Sequence, residues 1–445
     1  MALTAATAWE VEATGSDSNG GGFDTSNKGA TGVDMTYGTH QGTVSFSSSL
    51  SAVGTTSLTN SSSSFLNTML GNVINIAGQG LYCIVGYTST SVVTVDRALG
   101  TFTATSGVVG GALASPGYAS NVMVGGNVVN VQYASYSITS ATVNISGGCI
   151  SMPANTADTS QSTMIGYQTA RGDYGNQPVF TASGISAFTM LASGAGGRFV
   201  NLALSGANLT TSRGFVSSSA TVYKCLFENF TNVAIASGSA IECAIASCTT
   251  VSPAIEAIFV LRCISHDNNV TGFGVSSSSS YLVDCISYNN TIGFQDSTGA
   301  SNAAFINCTA FGNSSDGFKL VSVVTGNLSS ACHNCLSYGN SGYGFNTSAN
   351  VSNYLYSCFA GGNTSGNLTG SAQQIPSIVS LSANPFVNSS SANFALNSTA
   401  GGGALVQGAG VPGTFPGGNT VGYLDGGAVQ HQGTSGGTVI FVIDD

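Results

Sequence analysis

Charge is what this sequence lacks most. Only 6% of its 445 residues are Asp, Glu, Lys or Arg, against about 25% in typical soluble proteins. Eight of them are basic, the net charge is −10, and no Lys/Arg cluster forms, so a phosphate backbone finds no electrostatic footprint and nucleic acid is excluded as a partner. No stretch approaches eighteen uninterrupted apolar residues, so no membrane insertion is expected. The opening MALTAATAWEVEATGSDSNGGGF has no basic region followed by an apolar one, and no secretory signal is expected from it. P-loop and HExxH patterns are missing, and no cofactor is expected.

What is present is glycine, 60 residues of it, long runs of Ser, Thr and Asn, and 42% apolar residues. That is enough apolar surface for a sizeable core. Its solvent face has to be built from Ser, Thr, Asn and Gly, which suits all-β structure with many tight turns. The eleven cysteines are an odd number in a chain where no secretory signal is expected, which favours free thiols over a disulfide framework.

The cysteines also mark a repeat. Cys225, Cys243, Cys263, Cys285, Cys308, Cys335 and Cys358 are spaced by 18, 20, 22, 23, 27 and 23 residues. Five residues after the last five stand Asn268, Asn290, Asn313, Asn340 and Asn363. Three residues after four of them stands a ring, at His266, Tyr288, Phe311 and Tyr338, and a Gly-Phe closes four units at Phe273, Phe294, Phe318 and Phe345. Anchors that persist while the spacing varies mean stacked coils with elastic loops. Short β-branched runs punctuated by Gly, Asn and Ser make those coils strands and turns. Coils of about 22 residues stacked at roughly 4.8 Å form a parallel β-helix.

Each repeated letter is then a rung of a ladder. Thiols fill a narrow interior without voids. Asparagines take the left-handed conformation at a turn and hydrogen-bond from coil to coil. Phenylalanines supply large buried area. The residues just before the cysteines, Lys224, Glu242, Arg262 and Asp284, followed by Asn307, Asn334 and Ser357, alternate in sign before becoming neutral. Strand alternation places them outside as an ion-pair column. The residues just after the cysteines include Leu226, Ile264, Ile286, Leu336 and Phe359. Either the strand bends at the cysteine or this greasy stripe faces a neighbour, which points to lateral association.

Along the chain, residues 1–41 read as a polar N-terminal arm holding the only tryptophan, Trp9, ordered against something else. Residues 42–117 read as a small antiparallel β domain with the linker GGALASPG (110–117). Residues 118–375 carry the β-helix, beginning at NVVNVQYASYSI (127–138), with an extended turn in MIGYQTARGDYGNQPVF (164–180). Residues 376–445 form a C-terminal cap and tail.

This coil pattern resembles the right-handed parallel β-helix, or pectate-lyase-like, superfamily. NPFVNSSSANFALNSTAGGGALVQGAG (384–410) is similar to that family's terminal stretch, with Asn384 in place of an Asp and Gly401 to Ala404 where a Ser-Pro-Ala is usual. The opening AWEVEATGSDSNGGGF, with GGALASPG before the first coil, resembles uncharacterised β-helical bacteriophage proteins. The superfamily resemblance implies polysaccharide chemistry, either elimination by an Arg or Lys base beside Ca²⁺ or hydrolysis by paired carboxylates.

Hydrolysis needs two carboxylates about 5–10 Å apart across a groove. The coil acids left over from the ladder are Asp158, Asp173, Glu228, Glu256, Asp267, Asp296 and Asp316. Glu228 and Asp267 fall near one face, but turn acids are mostly solvated Asx-turn formers. The basic residues Arg171, Arg198, Arg213, Lys224, Arg262 and Lys319 cluster with acids only in the ladder. CHNC (332–335) lacks two of the ligands that zinc requires, His266 sits in an aromatic column, and RGD (171–173) is a three-letter match. No catalytic, cofactor or metal residue is assigned. The expected function is structural: a self-assembling virion surface component of a bacteriophage, made in the host cytoplasm, with a homotrimer or filament of copies and other virion proteins as partners. A polysaccharide-binding or polysaccharide-degrading spike is the alternative, and a bacterial extracellular adhesin or filament subunit the third reading.

Overall fold

The computed structural model describes residues 4, 6–139, 148–153, 161–193, 196–217, 219–236, 238–249, 253–275, 280–296, 303–321, 330–347, 353–411 and 425–430. The chain is all-β, with a parallel β-helix, a small antiparallel N-terminal domain and a C-terminal cap. It divides into two compact units, residues 1–226 and 227–445.

In the first unit, six strands, Thr43–Val53, Ser57–Asn60, Val73–Ile76, Gly80–Ser89, Val92–Val95 and Thr101–Gly110, close into an antiparallel barrel. Phe46, Leu50, Phe65, Ile74, Ile84 and Val109 fill it. The segment read as a linker runs straight into a short helix, Pro116–Val122. Ser115 caps that helix by accepting from the Tyr118 N–H, and Pro116 stands in its first turn, where a missing N–H costs nothing. The coils follow. Val128–Gln132 pairs in parallel with Thr163–Tyr167, and that strand with Arg198–Val200.

The segment read as an arm lies on this same unit. Thr7–Val11 adds in parallel to Val128–Gln132, and Gly22–Asp24 closes over it antiparallel. Trp9 is fully buried there and donates its Nε1–H to Asn127 Oδ1 at 2.9 Å.

In the second unit the coils from Ser239 to Thr369 have three strands each, and the last, with Ala372–Ile375 and Val379–Leu381, has two. One coil runs Tyr281–Val283, Ile286–Tyr288 and Ile292–Asp296, and each strand pairs in parallel with its counterparts in the neighbouring coils. The strands equivalent to these three form a first, a second and a third sheet. The thiol rungs Cys243, Cys263, Cys285, Cys308, Cys335 and Cys358 are all buried, and all eleven cysteines of the chain are free. Phe273, Phe294, Phe318 and Phe345 stack with centroids 4.8–5.0 Å apart.

The asparagine ladder is continuous. Asn268 Nδ2 donates to Asn290 Oδ1 at 2.9 Å, Asn313 Nδ2 to Asn340 Oδ1 at 2.8 Å, and Asn340 Nδ2 to Asn363 Oδ1 at 2.9 Å. The left-handed conformation expected of these asparagines belongs instead to the residue before each one: Asp267, Asn289, Gly312, Gly339 and Gly362. Turning the chain there aims the ladder amide inward, where it meets the next coil. The Gly of each Gly-Phe follows from the same packing. A Cβ on Gly293 would sit 2.5 Å from Gly317 O and 3.0 Å from Asn313 Nδ2.

The register question resolves in the same terms. Glu242, Arg262, Asp284, Asn307, Asn334 and Ser357 all have φ near +50°, so the strand does bend just before every cysteine. The stripe after the cysteines faces outward but is covered by the chain itself. The hairpin Phe386–Asn388 and Asn393–Leu396 lays Phe386, Phe394 and Leu396 on Ile286, Leu336, Phe359, Tyr288 and Phe311. This C-terminal strap replaces the neighbouring molecule that an open stripe would require.

Candidate functional site

The exterior column in the second unit is as the alternating signs imply. Arg262 lies 3.5 Å from Glu242 and 3.9 Å from Asp284. Asn307 Nδ2 then donates to Asp284 Oδ1 at 3.0 Å and Asn334 Nδ2 to Asn307 Oδ1 at 3.1 Å, so the ladder passes from ions to amides without a break. Lys224, in the first unit, sits over the rings of Tyr174 and Tyr223.

Four of the leftover acids, Asp173, Asp267, Asp296 and Asp316, are occupied by coil-to-coil and turn bonds. Asp267 accepts from Asn289 Nδ2 at 3.0 Å and lies 2.7 Å from His266 Nδ1. Asp296 is buried and accepts from Ser330 Oγ. Asp316 accepts from the Tyr343 N–H and from Asn346 Nδ2, both at 2.8 Å. Asp173 accepts from the Thr169 hydroxyl and from the N–H groups of Gln168, Thr169 and Ala170, which hold its carboxyl well below the usual range. Glu228 and Glu256 are half-buried at strand ends, Arg198 and Arg213 are exposed at strand starts, and Lys319 points outward on the third sheet. Asp158 lies outside the described residues.

In CHNC, Cys332 and Cys335 are buried, while half-buried His333 stacks on Tyr356 at 4.6 Å, and burial lowers the affinity of its ring for a proton. Among the described residues, no three His, Cys, Asp or Glu gather where they could hold a metal. The RGD tripeptide presents neither charged side chain to solvent as a free group. Asp173 caps its own turn, and Arg171 is clamped inward.

That clamp is a charged cluster that pattern reading missed. Arg171 Nε donates to Glu10 Oε2 at 2.7 Å and its Nη1 to Asp34 Oδ2 at 2.8 Å, with the guanidinium 4.1 Å above the Tyr37 ring. Tyr167 Oη donates to Glu10 Oε1 at 2.5 Å. Glu12 accepts from the Gln41 amide. Burial pushes the Glu10 carboxyl up to about 8, with Arg171 and the Tyr167 hydroxyl pulling the other way. The available signal was WEVE itself, two carboxylates alternating with two apolar residues in a chain with so few charges.

An open apolar surface lies on the outer face of the first sheet in the second unit. Phe259 and Tyr281 stand in register on adjacent coils, 36% and 49% exposed. Beside them runs a half-buried aliphatic column, Ile241, Leu261, Val283 and Ile306. Farther along, the two columns carry Tyr354 and then Tyr356 and Ile375.

No protein-family model matches the sequence, and no curated protein matches it. Solved structures do. Pectate lyase Pel9A superposes with a TM-score of 0.51 at 16% identity, over 72% of this chain and 92% of that one. A rhamnogalacturonan lyase matches with a TM-score of 0.38 at 14% identity, over 57% and 70%. A mannuronan C-5 epimerase A-module from Azotobacter vinelandii matches with a TM-score of 0.33 at 13% identity, over 58% and 91%. The likeness to the pectate lyase shows the fold, a right-handed parallel β-helix.

Proposed function

We propose that this chain is a self-assembling structural β-helix, a surface-appendage component of a bacteriophage particle, whose copies meet along the outer face of the first sheet in residues 227–445. The observation that carries the reading is the contrast between two outer faces. On the second sheet the apolar stripe is covered by the C-terminal strap. On the first, Phe259 and Tyr281 are open beside an aliphatic column, and an apolar patch of that kind marks an interaction site. Leu261, Val283 and Ile306 offer no hydrogen bonds to sugar hydroxyls, which favours a protein surface as the occupant. Asp267, Asp296 and Asp316 are spent on coil-to-coil bonds, which supports a structural role. Placement on a virion rests on the resemblance of the opening residues and carries with it synthesis in the host cytoplasm and contacts with other virion proteins.

Polysaccharide engagement is the second reading. The fold shared with a pectate lyase and the in-register rings of Phe259 and Tyr281 favour it. Light scattering after size-exclusion, together with a polysaccharide-binding screen, separates the two. The first reading expects an oligomer that Tyr281→Glu or Val283→Asp reduces to monomers. A monomeric wild-type chain that retains polysaccharide would overturn it in favour of the second.

A further inference from the structure

Glu10 is the one acid in the Arg171 cluster that is completely buried, and it sits on a strand contributed from far away in sequence. Three separate segments converge on it. Its own strand, Thr7–Val11, lies against Val128–Gln132 and brings Glu12 two residues away. The segment 167–171 brings Tyr167 and Arg171 to its two carboxylate oxygens. Segment 34–37 brings Asp34 and the Tyr37 ring to the other side of Arg171. From the coil beneath, the Tyr136 hydroxyl donates to Gln132 O and approaches Val11 O, and Asn130 Nδ2 donates to Trp9 O.

We propose that the N-terminal strand is held on its coil by a proton-sensitive tie centred on Glu10, tight in acid and looser as the solution is made alkaline. The geometry supplies two carboxylates, Glu10 and Asp34, against one guanidinium, with a third, Glu12, close by. A protonated Glu10 turns its O–H to the Tyr167 oxygen, 2.5 Å away, and leaves Arg171 balanced by Asp34. An ionised Glu10 adds a charge in a place that water does not reach.

The sign follows from where the proton is bound more tightly. With the strand docked, burial pushes the carboxyl up to about 8 from its ordinary value of 4.5. Between those values the docked state holds the proton and the released state does not. Docking is therefore strongest below the ordinary carboxyl range. It weakens by up to about tenfold per pH unit as pH rises, and levels off above the docked value.

The test uses the full chain and its single tryptophan, which stands next to Glu10 and is fully buried. Release of the strand is followed by Trp9 emission during urea titration at pH 5.5, 7.0 and 8.5, with far-UV circular dichroism recorded in parallel for the coils. The expected result is a Trp9 midpoint that falls from pH 5.5 to 8.5 while the dichroism midpoint moves less. Glu10→Gln should give a Trp9 midpoint independent of pH. Tyr167→Phe removes a donor that favours the ionised carboxyl and should extend the decline to higher pH. A wild-type Trp9 midpoint that is the same at all three pH values overturns the proposal, as does Glu10→Gln keeping the wild-type slope. Should Glu10→Gln fail to bury Trp9, Tyr167→Phe decides, and a pH dependence identical to wild type overturns the proposal.

Discussion

In residues 227–445, Phe273, Phe294, Phe318 and Phe345 lie on one another with interplanar angles of 7°, 7° and 13°. In residues 1–226, Tyr136 meets Phe180 and Phe199 meets Phe215 edge-on, at 85° and 72°. The interior column of the first sheet there passes from Trp9 to Val129, Met164, Phe199 and Val222, with no two neighbouring coils alike. The third sheet and the cysteine and asparagine turns of the second unit stack like on like, whereas the first unit, and the second unit's own first-sheet column of Ala240, Val260, Leu282, Phe305, Cys332 and Leu355, fit unlike side chains together. Both are close-packed, yet they tolerate change differently. A ladder shares each hydrogen bond between coils, so a rung removed is felt above and below. An irregular core localises the damage, and it can accommodate a buried ionic cluster such as that of Glu10, Asp34 and Arg171, which has no counterpart in a stack of identical rungs.

The sharpest way to break the comparison is to place a charge inside the thiol stack. Cys308 is completely buried, and Cys308→Asp should cost about 4 kcal/mol or more, because an ion is left without a partner in the interior. Loss of the cooperative thermal transition is the expected readout. Next comes a rung of the amide ladder. Asn313→Ala removes the acceptor of the Asn290 N–H and the donor to Asn340, which should cost about 1–3 kcal/mol in urea denaturation. In the first unit, Asn201 donates to Gly166 O at 3.1 Å, and Asn201→Ala should cost less, since no shared ladder is interrupted. Asp284→Lys, on the exterior column beside half-exposed Arg262, should cost only about 0.2–1 kcal/mol. Equal tolerance of Asp284→Lys and Cys308→Asp would mean the register is inverted. Tyr281→Glu is expected to leave the melting of the isolated chain within about 0.5 kcal/mol of wild type while changing its association.

The second unit was legible in the sequence because its rungs are identical residues that recur at a common offset from cysteine. The exterior ion column was legible for the same reason. The positive-φ position slipped by one residue: Gly312, Gly339 and Gly362 mark the bend in three coils, but Asp267 and Asn289 stand there in the other two, and only the asparagine of the rung recurs in all of them. The strap was not legible. Phe386 and Phe394 reach Tyr288 and Phe311 across about a hundred residues, and nothing in a short-range pattern records which apolar column they will cover. Nor did any repeat mark the Glu10 cluster, which joins residues 10, 34, 37, 167 and 171 through unlike chemistry. The acids weighed and set aside for catalysis were visible as acids, but the bonds of Asp267, Asp296 and Asp316 to Asn289, Ser330 and Asn346 depend on which residues the next coil brings alongside.

The account turns on the open face of the first sheet, and hydroxyl-radical footprinting across a series of protein concentrations tests it most directly. The prediction is that labelling of Phe259 and Tyr281 is strong in dilute protein and falls as copies associate, while Tyr288 and Phe311, under the strap, stay weakly labelled throughout. Labelling of Tyr281 that stays unchanged over a range in which the chain assembles would place the contact elsewhere, and unchanged labelling in a chain that remains monomeric would contradict the structural reading itself.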